Sequence, residues 1–441
     1  MLDRVKFVVL HSFAHVFLYL IPRAVHAVLV KLPVTLWQLF TGRRPLTYSS
    51  RKERHISVIT SATDPAASER LLKTFGLSKD MVYRGPLYNK HIHTILGLLG
   101  VSRRVTYERE LPLGFDGNPI CLEWQRVPAG VEAKGVVLVV PGVGNYGQTP
   151  YVQRLVRCAV AKGFHICVLV PRGMGSAPLT QPRLTCITFT QDLRTVLQQC
   201  LTREQLRKRF GQELPVFLLG YSAGGSTILK AAVEEFNVYK ADPSVYPGGF
   251  PLTALVSMNA PLNMFVHAST MERCPFFYQR PMVDAMQKYA LKHANLFIKG
   301  MPGMPPIKDK AELKEMLKKF VIATDFNEYL VAPHFGYTEG SAGYYKDAAA
   351  FKWLEQMDAS IPVVCLAARG DPITGDSHTV AEWQALVDAH PNVVYVETPV
   401  GGHLSYLASP LDDVRGRGEF LVDFPLHALQ HAVRAAKAKT A

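Results

Sequence analysis

The 441 residues contain no C-x-x-C pair, and their seven cysteines are odd in number, which argues against a zinc ribbon, a thioredoxin-like site or a disulfide scaffold. Buried, reduced thiols are the expectation. No internal repeat and no low-complexity tract is present, so solenoid and fibrous architectures fall away. Charged residues are scarce at 19%, against about 25% in an average soluble domain. Hydrophobic residues reach 48%, enough for a large core. Acids are outnumbered by bases and the formal net charge is +13. No zinc-finger spacing or RNA-binding aromatic signature accompanies that charge, so nucleic acid is not the expected partner.

Acids are scarcest at the amino end. Residues 1–52 hold eight basic residues and one acid, Asp3, and so carry +7 of the total. The apolar run 7–22, flanked by Lys6 and Arg23, is about a turn short of the ~20 residues a spanning helix needs, a deficit that snorkelling side chains can make up. A second apolar run, 24–40, closes with Trp37 and Phe40 before Arg43-Arg44, in the manner of an interfacial segment. No small-x-small cleavage site follows, which disfavours a cleaved signal peptide. The reading is a single-pass membrane anchor over 1–46, a linker over 47–80 and a catalytic domain over 81–441. Interfacial helices or a targeting peptide are the alternatives.

Downstream of residue 80 the pattern alternates. Short apolar, β-branched runs at 135–140, 165–170, 216–219, 254–258, 363–367 and 393–396 are bounded by Gly or Pro, which predicts strands buried on both faces of a parallel sheet. Helices are predicted at 151–162, 189–200, 225–236, 380–390 and 425–437. An α/β fold follows. The interval 263–360 is too long for an ordinary connection and is rich in aromatic residues and Met, so it is expected to form a lid over the sheet edge with an apolar ligand beneath it. A second packing domain without a ligand role is the alternative.

The stretch from Val216 reads as strand, then Gly220-Tyr221-Ser222-Ala223-Gly224, then helix. A serine at such a sharp turn projects its hydroxyl into the crevice at the strand end, while Gly220 and Gly224 remove the clashes the turn would create. A serine hydroxyl needs a general base to act as a nucleophile, and the base needs an orienting acid. Asp371 follows the strand at 363–367, and His403 follows the strand at 393–396 in a Gly401-Gly402 loop; Asp376 and His378 are rivals. Two backbone N–H groups should receive an oxyanion, those of Ala223 and Val143. A competing pattern, Gly142-x-Gly144-x-x-Gly147 with Arg172 after the next strand, is compatible with a phosphorylated dinucleotide. That reading leaves Ser222, Asp371 and His403 unexplained.

Several further segments carry a family resemblance. These are Arg84-Gly-Pro-Leu-Tyr-Asn-Lys-His91-Ile-His93-Thr94-Ile95, Tyr107-Glu-Arg-Glu110 with Asp116-Gly117 and Glu123-Trp124, Pro171-Arg172-Gly173-Met174-Gly175-Ser176, Tyr344-Tyr345, and Asp371-Pro372. Together with the serine motif the chain resembles, from about Tyr83 to Leu407, the membrane-anchored ABHD-type branch of the α/β-hydrolases related to bacterial YheT. The resemblance implies an α/β-hydrolase fold, a mostly parallel central sheet with helices on both faces, and Ser222, Asp371 and His403 as a triad. It also implies an amino-terminal anchor. His93 stands where that branch has Gln, Met174 where it has Cys, Gly370 where it has an acid, and Pro141 where it has a His that could brace the oxyanion loop. The function expected is a membrane-bound serine hydrolase acting on lipid acyl esters of monoacylglycerol or phospholipid type, with no metal or cofactor required. An acyltransferase, or a non-catalytic lipid-binding protein, is the alternative.

Overall fold

The computed structural model describes residues 21–26, 28–29, 54–83, 90–98, 102–406 and 420–440. Its centre is a nine-stranded sheet. In chain order the strands are Ser57–Ile59 (β1), Glu108–Glu110 (β2), Cys121–Gln125 (β3), Gly135–Val140 (β4), Phe164–Val170 (β5), Val216–Tyr221 (β6), Leu252–Met258 (β7), Val363–Ala368 (β8) and Val393–Thr398 (β9). Across the sheet they run β1-β9-β8-β7-β6-β4-β5-β3-β2. The six from β9 to β5 are parallel, and β1, β3 and β2 pair antiparallel at the two margins. All six predicted strands are present.

Alternation along the strands explains why helices cover both faces. In β4, Val137 and Val139 join a core with Val152 and Leu155 of Pro150–Ala161 (α3) and Leu421 and Leu429 of Phe420–Thr440 (α9). Val136, Leu138 and Val140 point the other way, to Val196 of Gln191–Cys200 (α4), Ile228 of Ala223–Ala241 (α5) and Trp383 of Val380–Ala389 (α8). Burying each such side chain is worth roughly 1.5–3 kcal/mol.

The stretch expected as a linker over 47–80 takes part in this layering from residue 54 onward. Ile59 pairs with Tyr395 at the sheet margin. Helix Pro65–Phe75 (α1) starts where the Asp64 carboxylate accepts the Ala67 N–H, with Pro65 in its first turn, and buries Leu71 and Phe75 in the core shared with α9. The helix Lys90–Leu98 (α2) follows.

Between β7 and β8 the chain forms a helical insertion, which begins with Met264–Glu272 (α6) and Phe276–Lys292 (α7). It has its own core around Val283, Phe297, Leu313, Leu317 and Phe326. Among the described residues no helix is long and apolar enough to cross a membrane. The anchor expected over 1–46 lies, apart from residues 21–26 and 28–29, outside the described residues.

Candidate active site

β6 delivers Ser222 to the carboxyl edge of the sheet in a sharp turn. Its backbone sits at φ 52°, ψ −124°, a conformation that costs a non-glycine residue about 1–3 kcal/mol. The surrounding packing enforces it: the Ser222 N–H donates to the Met258 carbonyl at 2.8 Å and its carbonyl accepts from Gly225. A Cβ on Gly220 would run into the Gly224 carbonyl, and one on Gly224 into the Val140 carbonyl. The turn therefore closes only with glycine at both places.

β8 and β9 deliver the other two side chains to the same edge. His403 Nε2 lies 2.9 Å from Ser222 Oγ, and its Nδ1 lies 2.9 Å from Asp371 Oδ2. The Asp371 carboxyl is 1% exposed. Oδ1 accepts the N–H groups of Ile373 at 2.8 Å and Thr374 at 3.1 Å. Burial alone would raise its pKa, but the adjacent His403 ring and these two amides outweigh burial and hold it below the ordinary carboxylate value. An ionised Asp371 can only accept, so His403 carries its proton on Nδ1 and turns the Nε2 lone pair to the serine hydroxyl.

The rivals are occupied elsewhere. Asp376 accepts the Gly370 N–H, and the His378 ring stacks on Phe351 with centroids 3.7 Å apart. Arg172, the residue compatible with a dinucleotide phosphate, is buried between Asp116 and Asp192, each contacted at 2.6 Å. Gly142 packs against the serine instead, close enough that a Cβ there would stand 3.1 Å from Ser222 Cβ.

Ala223 opens α5, where first-turn N–H groups have no partner inside the helix. Val143 follows Gly142 in the loop after β4. The Gly142 N–H donates to Tyr151 Oη at 3.1 Å, the Asn145 amide to the Val143 carbonyl at 3.1 Å, and Tyr107 Oη–H to the Gly147 carbonyl at 2.6 Å. These three contacts brace the loop in which Pro141 has no side chain able to do so.

Five supporting residues escaped sequence reasoning. Asn259, fully buried at φ 49° just past β7, donates from Nδ2 to Asp371 Oδ2 at 3.0 Å. Tyr406, three residues after His403, donates its hydroxyl to Asn259 Oδ1 at 2.7 Å and so fixes which way the amide faces. Thr94 Oγ1 in α2 accepts the His403 N–H at 2.9 Å. His267 in α6 bonds the Ile373 carbonyl through Nδ1 at 2.9 Å. Burial pushes the His267 pKa down to about 4, opposed by that hydrogen bond and by the Asp371 charge. Beside it, Cys274 donates its thiol to the Pro372 carbonyl at 3.1 Å. The place of Asn259 just past a strand was readable, but the meeting of these residues at Asp371 and His403 was not. Tyr344 and Tyr345, quoted for the resemblance, pack with Ala223, Ile187 and Met264 behind the serine turn.

Among the described residues no group of three or more His, Cys, Asp or Glu could hold a metal ion. All seven cysteines are unbridged thiols, five of them buried.

A family model described as "Alpha/beta hydrolase family" matches residues 136–417. The chain is 24% identical over 332 residues to Embryogenesis-associated protein EMB8 of Picea glauca, covering 73% of this chain and 66% of that one. Phospholipase ABHD3 of Bos taurus is 25% identical over 311 residues, 69% of this chain and 67% of that one. YheT of Escherichia coli is 25% identical over 346 residues, 76% and 90% respectively. The chain thus spans about two thirds of the length of the first two relatives.

Proposed function

The chain belongs to the alpha/beta hydrolase family, and from that premise we propose that it is a serine carboxylic-ester hydrolase acting on acyl esters of lipids. The observation that carries this reading is the unbroken hydrogen-bond chain from Ser222 through His403 to Asp371, both links at 2.9 Å. His403 takes the Ser222 proton as Oγ attacks the ester carbonyl. The N–H groups of Ala223 and Val143 receive the oxyanion, and the alcohol leaves with the proton from His403. Water then attacks the acyl-enzyme by the same steps in reverse order. Asp371, kept ionised, stabilises the imidazolium that forms twice in each cycle.

Two features support a lipid as the acyl donor. The helical insertion has an apolar core of its own and packs Met264, Ala268, Tyr344 and Tyr345 against Ala223 beside the nucleophile, and one relative carries the name phospholipase. A labelled fluorophosphonate tests the reading: the wild-type chain should be labelled and the Ser222→Ala variant should not, with turnover of a p-nitrophenyl acyl ester lost in parallel. A folded wild-type chain that resists labelling would refute the hydrolase and leave a lipid binder. Ester synthesis from an added alcohol, read by product mass, separates acyl transfer from hydrolysis.

A further inference from the structure

Exposed apolar side chains are unevenly spread over this molecule. Apart from residues 21–29, nine large apolar side chains are exposed among the described residues, and Val131 is the one at the amino edge of the sheet. The rest lie in loops at the carboxyl edge, at the start of α8 or in the helical insertion. Scattered exposure of single apolar residues is ordinary, but segregation to the edge that carries a reaction site is a directional feature.

The densest group is the turn between β2 and β3. Leu111, Leu113 and Phe115 are 52%, 61% and 56% exposed; Leu111 and Leu113, two apart in extended chain, share one side, and Phe115 stands at the tip, in the turn that the Gly117 N–H closes on the Gly114 carbonyl. An isolated bridge, Leu113 to Pro119, closes the hairpin. Because Cys121 lies opposite Val170, this turn emerges beside the carboxyl end of β5, on the edge that also bears Ser222, Asp371 and His403. Phe115 continues through Phe189 to Phe335 of the insertion, with ring centroids 6.2 and 6.0 Å apart.

Charge at the hairpin fits an anionic surface. Glu108, Glu110 and Glu123 are paired with Arg126, Arg209 and Arg109, and Asp116 shares Arg172 with Asp192. Beside them the Arg183 guanidinium lies 5.6 Å from the centre of the Phe115 ring. A cation at the rim of an apolar prong, with each neighbouring acid held by an arginine, is the arrangement that seats a loop among phosphate headgroups.

We infer that the β2–β3 turn inserts Leu111, Leu113 and Phe115 into the headgroup region of a phospholipid bilayer and sets the mouth of the Ser222 site against it. The inference deepens the lipid-ester reading above and rests on it for its purpose, but its contact is separately measurable. The test is amide exchange of the full chain with and without phosphatidylcholine–phosphatidylglycerol vesicles. Exchange over 110–118 should slow with vesicles, a local signal that any binding through residues 21–29 does not mimic.

The combined variant Leu111→Ser, Leu113→Ser, Phe115→Ser should lose that protection. Its turnover of an ester embedded in the vesicles should fall on the order of a hundredfold, taking roughly fivefold from each half-exposed side chain. Its fluorophosphonate labelling and its turnover of a soluble short-chain ester should stay within about twofold of wild type, as for other surface changes, and Val131→Ser should change nothing. Equal exchange over 110–118 with and without vesicles overturns the inference, as does an unchanged rate on the embedded ester. Protection that grows with protein concentration in the absence of vesicles assigns the turn to a second copy and also overturns it. Failure of the hydrolase reading shows differently, as a wild-type chain inert to fluorophosphonate and to soluble ester.

Discussion

Replacing Asn259 with Asp changes one atom in the support of Asp371 and should make activity depend on pH in a new way. Asn259 Nδ2 donates to Asp371 Oδ2 at 3.0 Å, the same oxygen that receives His403 Nδ1. The introduced carboxyl can replace that donor only while protonated. Two charges at 3.0 Å repel by about 5.5 kcal/mol at an effective dielectric constant of about 20. Dividing by the 1.36 kcal/mol per unit places the new carboxyl's titration up to about four units above its ordinary value of about 3.9. Below about pH 6, N259D should therefore keep kcat/KM within about tenfold of wild type; above about pH 8 the bond becomes a repulsion and kcat/KM should fall a further ten- to hundredfold. The positive φ at this position suits Asp as well as Asn, so the backbone gives no separate penalty. The assay is kcat/KM on a soluble p-nitrophenyl ester across that range, paralleled by the rate of fluorophosphonate labelling. A profile of wild-type shape, whether at full height or uniformly lowered, would refute the role given to Asn259, because a purely structural defect does not titrate.

Three other outcomes are expected. Gly224→Ala should be destabilised by about 3–5 kcal/mol, read from the urea midpoint, because its methyl would overlap the Val140 carbonyl. Thr94→Val leaves the His403 N–H without its 2.9 Å acceptor, and should lower kcat about tenfold with KM little changed. The Asp371 pKa is depressed in the fold, so below about pH 4 the unfolded chain takes up the proton first. The stability this carboxylate contributes is therefore complete above that pH and lost as pH falls through the folded value. Asp371→Asn should flatten this acid limb of the urea-midpoint curve, and an unchanged limb would refute the assignment.

The central strands were legible because each is an apolar run bounded by Gly or Pro, the signature of burial on both faces. Ser222 was legible because its turn restricts the residues on either side, and Asp371 and His403 because they follow strands that end on the same edge. Helix limits were less clear: α5 begins at Ala223 rather than 225, and α9 begins at Phe420, ahead of Pro425. β1 gave no local signal, since its three residues are a strand only through pairing with β9, more than three hundred residues away. The same holds for Asn259, Tyr406 and Thr94. Each is an ordinary polar residue in its own neighbourhood, and its purpose arises from a partner that only the folded chain supplies.

The helical insertion is not a detachable cover. His267 and Cys274, near its start, hold the carbonyls of Ile373 and Pro372, the residues that immediately follow Asp371. Grafting a foreign insertion from residue 263 onward would therefore loosen the loop that holds the Asp371 carboxylate. An exchange that begins after Cys274 and ends before Tyr344 would keep both contacts, and with them the packing of Tyr344 and Tyr345 behind the serine turn.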